Sequence, residues 1–535
     1  MTTFFSRLQK HYEENPQTWY LAIAIFGFLV YHYRLALIPQ RADEPTRTVV
    51  ALEMILSGNY WAPTINGEWY YRKPPFYNWI LAALMNLTGS KSDFLLRLPS
   101  TIPLFLFGFT IYQHSKKYIA HLGAFMAAAM FVTCGRMLVY AAFLGHIDIF
   151  YSWLTYLAFI ALFEYGKRDE WLKALMISYV LHAIAFLCKG LPSVLFAGLS
   201  AIPVIWYFKN WKYIFNWRHL LSFGVFAVII SAYFYKYSQY NALNGWVDQL
   251  WDQSAQRTVM DDKRQWYDAL WSLVKFPLDH LMHLAPWSLF FPLLFFKGFR
   301  KALKQSDFLK VLGLIFLANI PVYWLSPGYY PRYLFMLYPI VFVFVGMVME
   351  MHKEGKYVRV LHQILLVLLG LVSIAPLAVF FVELKGEYMA LKVAIVMVLG
   401  VASVLLFAKL PKLRYLSFVF AILVFRLSFN FFILEERKDS DPHHEFMRGA
   451  VEAARITGDA PLYLYYDTPF NHGSTFYVER EKNEILRFKD NPEAGEYYLI
   501  NESFKSFWPP EMPYEDVYKF RIRFQDQYIT LRKAL

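Results

Sequence analysis

The chain has 535 residues, 57% of them hydrophobic and only 18% charged, with a formal net charge of +12. That balance excludes an array of soluble domains, because most of the chain must face lipid or other apolar helices. It also excludes a nucleic-acid-binding protein, since the Lys and Arg residues fall in short clusters between apolar runs, not in one stripe.

The first apolar run, 18–38, is long enough to span a membrane and lacks a small-residue cleavage site, so it reads as a retained span and not a removed signal. Directly after it comes the most unusual stretch, 43–79, DEPTRTVVALEMILSGNYWAPTINGEWYYRKPPFYNW. It opens on the acids Asp43 and Glu44, continues as a short amphipathic helix pattern, turns at Gly58-Asn59 and at Asn66-Gly67, and closes on Arg72, Lys73 and two prolines. A segment this polar between two apolar runs must line an aqueous cavity or the water interface. It reads as the floor of an active site.

Further candidate spans lie near 94–114, 119–140, 146–164, 171–188, 191–208, 219–238, 280–297, 308–326, 333–350, 358–382, 388–408 and 414–434. That makes about thirteen, at roughly 17–25 mostly apolar residues each. Basic residues recur at every second connection, from Arg7 and Lys10 through Lys116 and Lys117 to Lys409, Lys412 and Arg414. The positive-inside rule then puts the N-terminus in the cytoplasm, and an odd number of spans puts the C-terminal segment outside. The loops 40–93 and 239–279 share that outer face. Cys134 and Cys188 both lie within apolar runs and read as small packing residues, with no disulfide framework or metal spacing.

From residue 435 the composition becomes polar. Asp441-Pro442 reads as a helix N-cap with proline in the first turn, HHEFMRGAVEAARI has helical spacing, and PLYLYYD, EYYLIN and FRIRFQDQYITLR read as strands, the last a hairpin about Asp526. The expected organisation is a membrane domain over 1–434 and a small soluble α/β domain over 435–535.

Several charges need an explanation. Asp43 and Glu44 have an ordinary reading as an acidic helix start, and Lys73 as a snorkelling anchor. Lysines are sparse on that face, however, and the following prolines fix the direction of Lys73. Asp148, flanked by Ile147 and Ile149 at a span end, is costly unless wet or paired, and His146 is a candidate partner. Arg257 lies in the outer loop with Trp246, Trp251 and Trp266, which read as an aromatic interface belt. Arg332 and Tyr333 stand at another outer span end. Carboxylates and cations facing one aqueous side of a membrane bundle suit a lipid-linked phosphate, because charge-assisted bonds strengthen where water is thinned. His443 and His444, being adjacent, point to different helix faces and make a poor metal pair.

The pattern DEP-x-R with its amphipathic helix, followed by NGEWYYRKPPFYNW and LLRLPS, resembles the aminoarabinose (lipid A) transferase family, which with the protein mannosyltransferases belongs to the GT-C class of integral membrane glycosyltransferases. The resemblance is dense over 40–100 and weaker at 146–150, 250–260, 285–292 and 326–339. It implies an α-helical polytopic enzyme of the bacterial inner membrane that takes a sugar from a polyprenyl-phosphate carrier, with inversion, and delivers it outside to an envelope acceptor: lipid A-like lipid, glycan or protein. By position it assigns Asp43 and Asp148 as catalytic acids and Lys73, Arg257 and Tyr333 to the donor phosphate. Glu44, Arg72 and Arg332 remain candidate substrate contacts. The expected partners are membrane lipids, the lipid-linked sugar and the acceptor. No tightly bound cofactor is expected, nor a divalent metal: Arg72 and Ser254 stand where relatives often carry a Glu and a His able to hold one. Tyr329-Tyr330 replaces the Lys-Leu often seen before the Pro-x-Tyr motif, which points to a different acceptor pocket. The rival reading is a transporter or flippase of lipid-linked sugars. Such proteins favour internal repeats around a midplane site, whereas no repeat is visible and the charges gather at one face.

Overall fold

The computed structural model describes residues 2–255, 266–326, 329–352, 354–381, 387–523 and 527–535. Among them, nine helices are long and apolar enough to cross a membrane, from Asp93–Ser115 to Pro411–Lys438, with shorter apolar helices at Pro192–Tyr207 and Tyr338–Met351. Two predicted spans resolve differently. The run 18–38 is helical only over Pro16–His32. The run 280–297 ends the helix Trp266–His283 and continues as the 3-10 helix Trp287–Phe295, because Pro286 and Pro292 interrupt regular α-helical bonding.

Small residues let the bundle close tightly. A side chain added at Gly123 would stand 2.6 Å from the carbonyl oxygen of Gly346, so the helices His121–Thr133 and Tyr338–Met351 meet backbone to backbone.

The stretch 43–79 folds as its local signals require. Pro45 sits in the first turn of the helix Glu44–Ser57, and Gly58, at φ 71°, ends it in the left-handed conformation that glycine tolerates. Strands β1 (Thr64–Ile65) and β2 (Glu68–Trp69) then form a hairpin around Asn66 and Gly67, whose φ values of 56° and 78° are those of the Asn-Gly hairpin turn. The chain next passes through Lys73 into the helix Phe76–Thr88.

The C-terminal α/β domain contains strands β3 (Leu462–Tyr465), β4 (Phe488–Lys489), β5 (Tyr497–Asn501), β6 (Tyr514–Arg523) and β7 (Gln527–Ala534) in the order β4-β3-β5-β7-β6. β3 runs parallel to β4 and β5, while β7 is antiparallel to β5 and β6. Asp441 caps the helix Pro442–Thr457 as expected, accepting a bond from the His443 N–H. The turn about Asp526 lies outside the described residues. The sequence reading missed the helix His472–Lys482, which packs on the helix Glu44–Ser57. Tyr477 ties the two regions together, accepting from the Gln40 N–H at 3.0 Å and donating to Asp93 at 2.9 Å.

Candidate active site

Asp43, Asp148, Lys73, Tyr333 and Arg332 come together at one end of the bundle, from four separate stretches of chain. Arg332 is the hub. Its Nη2 donates to Asp43 Oδ2, and its Nε lies 3.6 Å from Asp148 Oδ2. The second oxygen of Asp148 accepts from Lys189, the last residue of the helix Trp171–Lys189. The Lys189 ammonium also sits over the Tyr333 ring at 4.4 Å and the Tyr151 ring at 4.9 Å.

The two aspartates differ in access. The Asp43 side chain is 59% exposed, whereas that of Asp148 is 5% exposed and enclosed by its partners. A carboxylate so enclosed organises cations, and an exposed one can meet a substrate. His146 lies with Nδ1 3.8 Å from Asp148.

Lys73 lies within electrostatic reach of both aspartates and of two further cations, Arg47 and Lys189. Burial first, then those neighbouring cations, hold its ammonium well below the ordinary lysine range. Arg47 is 4% exposed, faces the Tyr70 ring at 5.7 Å, and its Nη1 has no hydrogen-bond partner among the described residues. The group therefore sets four cations (Arg47, Lys73, Lys189, Arg332) against two carboxylates (Asp43, Asp148), a surplus of two positive charges. An anion entering this site would relieve mutual repulsion as well as gain direct bonds.

Beside Asp43 opens a cavity of about 730 Å³ lined by Ala42, Arg41, Arg136, Arg437, His283 and Asp279, among others. Its charged lining is three arginines against Asp279, and the Arg136 guanidinium stacks at 3.9 Å on Tyr140.

The structure reassigns one candidate. Glu44 is fully buried in a two-pronged pair with Arg97, Nε to Oε1 at 2.7 Å and Nη2 to Oε2 at 3.0 Å, and also accepts from the Gly145 N–H. With both oxygens engaged it cannot contact substrate; it holds the loop before the helix Glu44–Ser57 onto the helix Asp93–Ser115. Arg72 is exposed. Arg257 lies outside the described residues.

Two residues of the cluster were not predicted. Lys189 ends an apolar run, where a lysine reads as an interfacial anchor, yet it stands alone on a face otherwise poor in lysine. Arg47 lies one helical turn after Asp43, and that spacing was its signal.

Comparison with known proteins bears on this arrangement. A family profile described as dolichyl-phosphate-mannose-protein mannosyltransferase matches residues 72–235. The undecaprenyl phosphate-alpha-4-amino-4-deoxy-L-arabinose arabinosyl transferase of Pseudomonas savastanoi pv. phaseolicola is 25% identical over 395 residues, 67% of each chain. The crystal structure of ArnT from Cupriavidus metallidurans bound to undecaprenyl phosphate superposes with a TM-score of 0.71, covering 96% of this chain and 97% of that one at 16% identity. Its apo state matches with the same TM-score. The likeness to the aminoarabinose transferases and protein mannosyltransferases extends from sequence motifs to a shared polytopic helical fold.

Proposed function

We propose that this chain, a membrane glycosyltransferase similar to the aminoarabinose transferases and protein mannosyltransferases, takes a sugar from a polyprenyl-phosphate carrier and passes it to an envelope acceptor on the periplasmic face of the bacterial inner membrane. The observation that carries this reading is the charge surplus around Lys73, where four cations meet two carboxylates. The donor's phosphodiester sits against Lys73, with Arg257 and the Tyr333 hydroxyl as further contacts and Lys189 and Arg47 strengthening the local field. Sugar transfer breaks the bond between the anomeric carbon and the phosphate oxygen, so negative charge builds on the departing polyprenyl phosphate. Cations that bind it more strongly as that charge grows lower the barrier.

Asp43, exposed beside the cavity, orients the acceptor and takes its proton when the acceptor is a hydroxyl. Arg332 keeps that carboxylate aimed. Asp148 holds Lys189 and Arg332 in place. Direct attack on the anomeric carbon from the Asp43 side inverts its configuration. The C-terminal domain, over 435–535, seats on the outer loop and shapes access for the acceptor.

The reading is tested by supplying purified protein with labelled polyprenyl-phosphate sugar and candidate acceptors, using Lys73→Ala as control. A new glycosidic bond that depends on Lys73 supports it. Flux of the lipid across vesicles with no such bond would establish the transporter instead.

A further inference from the structure

A second pair of carboxyl groups lies away from the charge cluster, where the outer loop meets the C-terminal domain. Glu53, on the helix Glu44–Ser57, and Glu479, on the helix His472–Lys482, are both fully buried, and their carboxyl groups are in hydrogen-bond contact. Glu53 Oε1 accepts from the Asn66 N–H at 2.5 Å, while its Oε2 accepts from the Gly67 N–H at 3.2 Å and the Thr64 hydroxyl at 2.5 Å. Glu479 Oε1 accepts from the Leu486 N–H at 3.1 Å, and its Oε2 has no other donor among the described residues.

This inventory fixes where one proton sits. Glu53 is saturated with donors, the pattern of an ionised carboxylate, and Glu479 has a buried oxygen turned to Glu53. Two touching carboxylates shut away from water cannot both be ionised, so one proton is shared between them. Burial, then the adjacent Glu53, push Glu479 well above the ordinary glutamate range, and the nearby Arg487 opposes that only partly. Arg487 is the charged side chain facing the pair from the segment after the helix His472–Lys482. It also closes over Gly67, where an added Cβ would lie 2.8 Å from its Nη1.

The gripped element is the hairpin turn that leads to the site. Asn66 Nδ2 donates to the Leu486 carbonyl at 3.0 Å, binding the same turn to the C-terminal domain a second time. From Gly67 the chain runs through β2 to Tyr70, whose N–H donates to the Pro63 carbonyl at 2.8 Å and whose ring faces Arg47. Lys73 follows three residues later.

We infer that Glu53 and Glu479 are positioning residues: sharing one proton, they clamp the β1–β2 turn between the outer loop and the C-terminal domain and so set where Lys73 meets the donor phosphate. The last clause rests on the function proposed above; the clamp itself does not. The sign is fixed by the chemistry. An acid held protonated in the folded state supports the clamp at low pH and releases it as pH rises through its raised value.

Two readouts separate the parts. Hydrogen exchange at residues 64–70 and 484–487 of the full-length protein, followed from pH 6 upward, reports the clamp without reference to activity. Protection in the wild type should fall with rising pH beyond the intrinsic pH dependence of exchange. Glu479→Gln, whose amide donates to Glu53 without titrating, should remove that fall, and Glu53→Gln should lower protection at every pH because an amide oxygen cannot replace three acceptor contacts. An unchanged pH slope in Glu479→Gln would overturn the clamp. The second readout is the KM for polyprenyl-phosphate sugar, which should rise roughly tenfold in Glu53→Gln with kcat changing less. An altered exchange pattern with unaltered KM would overturn the link to Lys73, and absence of transfer by the wild type with the exchange result intact would count against the proposed function alone.

Discussion

Arg332 and Asp43 meet across 289 residues of chain, joining the start of the helix Glu44–Ser57 to the entrance of the helix Tyr338–Met351. The same guanidinium reaches Asp148, so one arginine connects an exposed carboxylate with an enclosed one. This bridge separates two roles that look alike in the sequence. The Asp43 side chain is 59% exposed beside its arginine, and that of Asp148, at 5%, is enclosed by Lys189 and Arg332.

The phosphate role of Lys73 predicts that Lys73→Ala lowers turnover by roughly 10²–10³, the scale of losing one contact that strengthens in the transition state. Lys189→Ala should fall in the same direction, with part of its loss arising from Asp148 left unpaired. Single-turnover rates with labelled donor check both, and wild-type rates in Lys73→Ala would remove it from the site.

Asp43→Asn should cut transfer to a hydroxyl far more than transfer to a phosphate, which is already ionised near neutral pH and needs no base. Parallel assays with the two acceptor types decide it. Equal losses would leave Asp43 an orienting role only.

Asp148→Asn removes the carboxylate that Lys189 and Arg332 share in a buried setting. Breaking a buried pair by deleting one partner costs about 3–5 kcal/mol, so thermal unfolding in detergent should shift down markedly. The double variant Asp148→Asn/Lys189→Met should recover part of that stability while remaining inactive, which distinguishes a holding role from general damage.

Glu44→Gln tests the reassignment of that residue. Losing the charge opposite the buried Arg97 should lower stability on the same scale, about 3 kcal/mol, while the surviving folded enzyme keeps its KM for donor and acceptor. A changed acceptor KM at unchanged stability would restore Glu44 to the substrate site.

Donor affinity should fall as pH rises through the lowered Lys73 value, because only the ammonium form attracts phosphate. The wild-type fall should come at lower pH than an ordinary lysine would give, since burial, Arg47 and Lys189 depress that group. Binding titrations with the carrier lipid phosphate show it, and Lys73→Arg, charged throughout, should flatten the profile.

The lengths of the apolar runs and the clustering of basic residues between them were enough to define a membrane bundle with a polar loop at 43–79, because span length and side-chain hydration are local properties that a sequence states directly. Local signals also placed the Asn-Gly hairpin and the helix capped by Asp441. They did not foresee that the run 280–297 departs from a continuous helix, since its prolines interrupt a pattern whose apolar content alone looks like a span. Nor could they separate Asp43 from Glu44: the two are adjacent and chemically near-identical, and only packing against Arg97 turns one inward while Arg332 meets the other where it is exposed. Lys189 and Arg47 joined the site, and Glu53 found Glu479, because helices distant in sequence pack side by side. Electrostatic pairing depends on distance in space, and that distance is set by the fold.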